Sequence, residues 1–321
     1  MPARKRRDRA RSGYRGSGQL RLTLPPLDLD LVVRSHGWYD LPPFEWDAEK
    51  RTLGFRFLEG EYPVQVVVAA RTSGLVASAA PAAGAPSSPL KEDLSSNVPT
   101  RGAVRRALGR VLDLRAELSS FHALCAGDPR FAWIARRGAG RILRAPTAFE
   151  DAVKVLATTN CTWGLTRVMV RNLVDRFGRG GAFPHAAFVA GLPARDLEKL
   201  KFGYRAPYLA AFADRVASGA LDLARWEDAS RPDEDVENEI RSEKGFGPYA
   251  ADTLGRLLGR HGKLGLDSWS RKKVAGLRFR GRSVSDARVA RLYAPFGPHA
   301  GLAFWLDVTR DWHEEKERLW P

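Results

Sequence analysis

Residues 239–273 read EIRSEKGFGPYAADTLGRLLGRHGKLGLDSWSRKK, and the order of signals within them decides how the rest of the chain is interpreted. A charged, helix-patterned run reaches Lys244, and Gly245-Phe246-Gly247 breaks it. Pro248 then opens a second helix, because its fixed φ suits a first turn and its missing N–H is one a first turn does not use. Ala250, Leu254, Leu257 and Leu258 fall on one face of that helix. A glycine-containing loop leads to Asp267-Ser268, which has the form of an N-cap for a third helix. Glycines at both ends of so short a turn let backbone N–H groups approach an anion, and the following helix N-terminus favours negative charge. The stretch predicts a two-helix device for gripping a phosphate, followed by a carboxylate.

Composition narrows the partner. The 321 residues are 44% hydrophobic and 28% charged, enough for a real core in one large domain or two smaller ones. A net charge of +15 and a pI of about 10.2 point to a polyanion, and nucleic acid fits better than a membrane surface. No long apolar run or basic amphipathic anchor is present, and the basic N-terminus is not followed by an apolar signal core. Cys125 and Cys161 are too few for a disulfide framework or a four-thiolate cluster, and they read as buried thiols of a reducing cytosol. His36, His122, His185, His261, His299 and His313 show no metal-ligand spacing, so neither metal nor cofactor is expected. The reading is cytoplasmic, nucleoid-associated if bacterial.

Along the chain, residues 1–18 carry seven cations against Asp8 and read as a disordered basic tail. Without that +6 the remainder still carries +9. Residues 19–71 read as a β-rich domain, with strands predicted at Leu20–Leu24, Leu29–Val33, Thr52–Leu58 and Pro63–Ala70. Between them, SHGWYDLPPFEW (35–46) reads as a folded loop dense in aromatics, Pro and Gly, part of which can line a pocket. Residues 72–99 are rich in Ala, Ser and Pro and read as a linker or insertion. From 100 to 321 the pattern is helical, with the run 163–177 carrying Trp163, Val170, Leu173, Val174 and Phe177 at helical spacing before Gly178. The fold class expected is α+β, mostly α: a small antiparallel sheet, then many helices.

The hairpin stretch and four further motifs, in order along the chain, carry a resemblance. The stretch 239–273 resembles the hairpin and single catalytic aspartate of the helix-hairpin-helix (HhH-GPD) base-excision DNA glycosylases. Residues 140–178, the segment FGYRAPYLAAFADRVASG (202–219) and FGPHAGLAFWL (296–306) look like successive parts of their 8-oxoguanine and 3-methyladenine branch. LDLDLVVRS is similar to the strand entering their small sheet domain. The resemblance covers most of residues 20–310.

It implies a monomeric enzyme acting on double-stranded DNA with a damaged base, and it assigns roles. Asp267 stabilises the oxocarbenium-like charge on the sugar or activates water; read without the family, Asp-Ser is an ordinary N-cap. Lys244, Gly245, Gly247 and Lys272 hold phosphates. Asn160 and Tyr204 fill the gap left by a flipped base, and Arg205 contacts the estranged base. Tyr249 stands where bifunctional members place a lysine nucleophile; a phenol forms no imine, so a monofunctional enzyme is implied. Lys244, Lys272 or Lys273 remain as substitutes for that amine. Tyr249, Thr253, Phe304 and Trp305 are expected to line the base pocket, with Trp38 or Tyr39 nearby. Leu165 and Phe304 replace an arginine and a glutamine that read 8-oxoguanine opposite cytosine, which shifts the expectation towards bases that bind by stacking, such as alkylated ones. The rival readings are a bifunctional glycosylase/lyase, a non-catalytic lesion-binding protein, and an architectural protein bound by charge alone.

Overall fold

A computed structural model describes residues 19–71, 74–82 and 99–314. The tail 1–18 and most of the predicted linker lie outside the described residues. Strands β1 (Leu20–Leu24), β2 (Glu45–Asp47), β3 (Thr52–Glu59), β4 (Tyr62–Arg71) and β5 (Gly74–Pro81) form one antiparallel sheet in the order β1-β5-β4-β3-β2. Register puts Phe55 opposite Val66 and Val66 opposite Ala79, so that Leu20, Leu22, Leu53, Phe55, Phe57, Val64, Val66, Val68, Ala77 and Ala79 are all buried. This is the period of two expected of a sheet with one covered face.

Two expectations need correction here. Residues 74–81, placed in the linker, are β5: the Ala-Ser-Ala-Ala run alternates buried and half-buried positions, and the small side chains fit beneath larger neighbours. Leu29–Val33, predicted as a strand, is the short helix α1. Asp28 caps it, its carboxylate accepting from Asp30 N at 3.1 Å and Leu31 N at 3.4 Å; Leu29, Leu31, Val32 and Val33 are buried, while Asp30 accepts from Arg51 at the surface.

The helices that follow are α2 (Arg101–Val111), α3 (Ser119–Ala126), α4 (Ala132–Arg137), α5 (Ala148–Thr158), α6 (Trp163–Phe177), α7 (Ala186–Ala190), α8 (Ala194–Lys199) and α9 (Ala206–Ala217). Then come α10 (Ala224–Glu227), α11 (Asp233–Ser242), α12 (Pro248–Leu257), α13 (Ser268–Phe279), α14 (Asp286–Tyr293), α15 (Ala300–Val308) and α16 (Arg310–Glu314). Thr100, Thr147 and Thr162 cap α2, α5 and α6 through their hydroxyls. One hydrophobic cluster runs from Leu20 in the sheet to Val308 in α15, so sheet and helices share a core.

The hairpin lies between α11 and α12. Gly245 has φ +92, and a Cβ there would come within 2.7 Å of Leu156 and 3.0 Å of Tyr208. Phe246 is buried against Phe212, anchoring the turn. A second close approach is at Gly301, whose added Cβ would lie 1.9 Å from the Lys263 carbonyl. Its N–H donates to His261 O at 2.7 Å, clamping α15 to the loop that leads to Asp267. Gly301→Ala is expected to cost about 1–3 kcal/mol through overpacking. A urea midpoint equal to that of the parent would contradict this.

Candidate active site

Helix α12 builds the site from one face. Tyr249, Thr253 and Arg256 stand four and three residues apart and therefore project the same way. The Tyr249 hydroxyl hydrogen-bonds with Thr158 and Thr253, and burial pushes the phenol pKa above its ordinary value, so the ring is a neutral wall. Arg256 is fully buried; burial lowers its pKa to about 10, against the pull of Asp252, Tyr249 and Asp267. It donates to Leu264 O at 2.6 Å, and the Asp252 carboxylate accepts from Gly265 N at 3.1 Å. Two side chains of α12 thus fold the loop back and deliver Asp267 beside Tyr249. Gly265 has φ +66, and a Cβ there would sit 3.0 Å from the Arg256 guanidinium.

Asp267 is the N-cap of α13 in a reciprocal capping box. Its Oδ1 accepts from Ser270 N at 2.7 Å, while its own N–H donates to Ser270 Oγ at 2.9 Å. The cap fixes the carboxylate, and among the described residues no partner takes Oδ2. The cap and the catalytic role foreseen for Asp267 are therefore compatible.

Asp267 lines a cavity of about 290 Å³ together with Thr158, Cys161, Tyr249, Thr253 and Gly265. Five of the chain's nine tryptophans make up much of the rest of its wall: Trp38, Trp163, Trp269, Trp305 and Trp312. Their N–H groups serve the scaffold where hydrogen bonds are seen. Trp38 Nε1 donates to Asp151 at 2.6 Å, Trp163 Nε1 to Asp40 at 2.8 Å and Trp305 Nε1 to Ser35 O at 2.7 Å. Trp38 and Trp163 are near-parallel at 6.4 Å, and Trp269, Trp305 and Trp312 meet at 5.5–6.2 Å. Arg256 lies 4.8 Å from the Trp305 ring centre. His36 also lines the cavity; burial first, then Arg256 and Lys154, pull its pKa down to about 3, so the ring is neutral.

Phe304 is not part of this wall, contrary to expectation. It is fully buried and meets the Tyr293 ring edge-on at 5.3 Å, one helical position away from the face that presents Trp305. Trp163, Trp269, Trp312, His36 and Arg256 were not foreseen as site residues. Trp269 stands two places after Asp267, a spacing that would have pointed to it; Trp163 had been given to the core by its helical periodicity.

Asn160 and Tyr204 come together although 44 positions apart, with Asn160 Nδ2 at 3.4 Å from the Tyr204 hydroxyl. Asn160 takes φ +46 and is exposed, Tyr204 is 54% exposed, and Cys161 beside them reaches the cavity wall. Arg205 turns inward instead: its guanidinium donates to Thr159 O and Oγ1 and lies over the Tyr204 ring at 4.5 Å. Lys244 and Lys272 are exposed, and no carboxylate among the described residues pairs with either. Lys273 pairs with Asp311. Among the described residues no lysine lines the cavity. Among the described residues no group of His, Cys, Asp and Glu could hold a metal ion, and no helix is long and apolar enough to cross a membrane.

No family model and no curated protein matches the sequence. Solved structures do match in three dimensions. The 3-methyladenine DNA glycosylase from Archaeoglobus fulgidus superposes with a TM-score of 0.69 at 18% identity, over 89% of this chain and 96% of that one. The Clostridium acetobutylicum 8-oxoguanine glycosylase/lyase, bound to double-stranded DNA with cytosine opposite 8-oxoguanine, gives 0.63 at 18% identity, over 86% and 91%. The chain therefore shares the fold of these DNA glycosylases.

Proposed function

We propose that the protein is a monofunctional DNA glycosylase of base excision repair, which flips an oxidised or alkylated base out of duplex DNA and hydrolyses its N-glycosidic bond. One observation carries the proposal: a fixed carboxylate, Asp267, faces an aromatic-walled cavity that no lysine of the described residues enters. A flipped base stacks on the indole faces, while Asn160 and Tyr204 occupy the gap it leaves in the duplex. As the bond from C1′ to the base nitrogen breaks, positive charge grows on the sugar. Asp267 stabilises that charge and orients the water whose oxygen bonds to C1′. The hairpin amides of Gly245 and Gly247, with Lys244 and Lys272, hold the phosphates without reading sequence. With Arg205 folded onto Thr159 and Leu165 apolar, no guanidinium of this pair reads the opposing base, so its identity matters little. The partner is double-stranded DNA carrying a damaged base, bound by a monomer in the cytoplasm or nucleoid.

The test uses duplex oligonucleotides bearing 8-oxoguanine, 3-methyladenine, 7-methylguanine, uracil or hypoxanthine opposite each base. The expected result is a strand break that appears only after alkali, with no protein–DNA adduct trapped by borohydride. A trapped adduct would restore the lyase reading. Lesion-selective binding without any product would make the protein a lesion-binding module.

A further inference from the structure

Tryptophan faces hold a flat ring but scarcely distinguish one purine from another, so selectivity has to come from a polar group in the wall. His36 stands in that position. It is 4% exposed, lines the cavity, meets Trp38 edge-on at 4.2 Å and lies 5.5 Å from Trp305. No hydrogen bond of the described residues uses either of its ring nitrogens. Nδ1 is completely enclosed without a partner; Nε2 is not among the enclosed, unpartnered atoms. An imidazole buried with both nitrogens idle is costly unless something completes it.

The tautomer follows from which nitrogen is enclosed. A neutral imidazole carries one N–H and one lone pair, and burying an unbonded donor is rarer than burying an unbonded acceptor. The proton therefore belongs on Nε2, the nitrogen left for the cavity. We infer that His36 is a specificity-determining residue, donating from Nε2 to a hydrogen-bond acceptor on the edge of the bound base. The class of base selected is a purine with a carbonyl oxygen or an unsubstituted ring nitrogen on that edge. The inference rests on the reading of the cavity as a base pocket, and it adds what the indoles alone do not supply.

The test titrates the full-length protein with free hypoxanthine, which has such acceptors, and with indole, a flat ring of similar size that has none. Binding is followed by isothermal titration calorimetry. Hypoxanthine is expected to bind the parent, and His36→Phe to weaken it about tenfold, the scale of a hydrogen bond lost in a desolvated site. Indole is expected to bind the two proteins equally, and His36→Gln, which keeps an N–H donor, to retain hypoxanthine within about threefold. Unchanged hypoxanthine binding in His36→Phe overturns the inference, as does a parallel loss of indole or a parent that binds neither probe. Excision assays on duplex DNA run alongside. A parent that excises while His36→Phe binds hypoxanthine normally removes only the role of His36. A parent that excises nothing, with the titration as expected, removes only the glycosylase reading.

Discussion

Asp267→Asn is expected to lower single-turnover base excision by about a hundredfold or more, the scale seen when one preorganised electrostatic group is removed from a transition state. The substitution is informative because the capping box survives it. Asparagine keeps an oxygen for Ser270 N, now 2.7 Å from Oδ1, and ranks with aspartate as an N-cap. Thermal stability should therefore stay within about 0.5 kcal/mol of the parent, as for ordinary neutral substitutions. Affinity for a duplex with an abasic-site analogue should hold, since the phosphate contacts are elsewhere. Asp267→Ala separates the two roles, adding about 1 kcal/mol of lost cap to the same catalytic defect. Excision at the parental rate by the Asn variant would remove Asp267 from the mechanism.

Lys154→Met is expected to destabilise the fold by about 3–5 kcal/mol at pH 8, the cost of leaving one member of a buried ion pair without the other. Lys154 and Glu150 are 0% and 2% exposed, 2.6 Å apart on successive turns of α5, and the ammonium also lies 4.8 Å from the Phe44 ring centre. Burial pushes the Glu150 carboxyl up to about 7, against the opposing pull of Lys154. A carboxyl whose pKa is raised by folding holds its proton more tightly in the folded state. It costs nothing below the ordinary carboxylate value and progressively more as the pH climbs through about 7. Removing the ammonium raises that pKa further, so the loss measured by urea unfolding should be clearly larger at pH 8 than at pH 5. Equal losses at the two values would mean that Glu150 is not charged in the folded parent. Lys154→Met combined with Glu150→Leu should recover most of the stability, because a well-packed apolar pair avoids the desolvation altogether.

Where the sequence was legible, local chemistry was strong. Pro248 after Gly247 and the Asp267-Ser268 cap each mark a helix start through interactions within four residues, and each helix begins there. Leu29–Val33 misled because Leu29, Asp30 and Leu31 alternate as a strand would and Val32-Val33 is β-branched, and only the cap formed by Asp28 decides for helix. β5 misled for the opposite reason: alanine and serine suggest a linker, whereas the burial of Ala77 and Ala79 depends on partners in β1 and β4. Of the residues expected at the site, Asp267, Tyr249, Thr253 and Trp305 line the cavity. Phe304 was not distinguishable from Trp305, since adjacent positions on an apolar helix differ only in which neighbour they meet. His36 and Arg256 were hidden because their roles arise from burial, which charge and spacing along a chain do not encode.

The three indole tethers have a consequence for the life of the chain. Trp38 is tied to a residue 113 positions later, Trp163 to one 123 positions earlier, and Trp305 to one 270 positions earlier. Such long-range closures form late, because loop entropy must be met before the contacts repay it. During synthesis, then, α11 and α12 emerge before the ring of tryptophans can exist, for Trp305 and Trp312 lie on α15 and α16. The cavity is complete only when both ends of the described fold have met, because its wall takes His36 and Trp38 from one and Trp305 and Trp312 from the other.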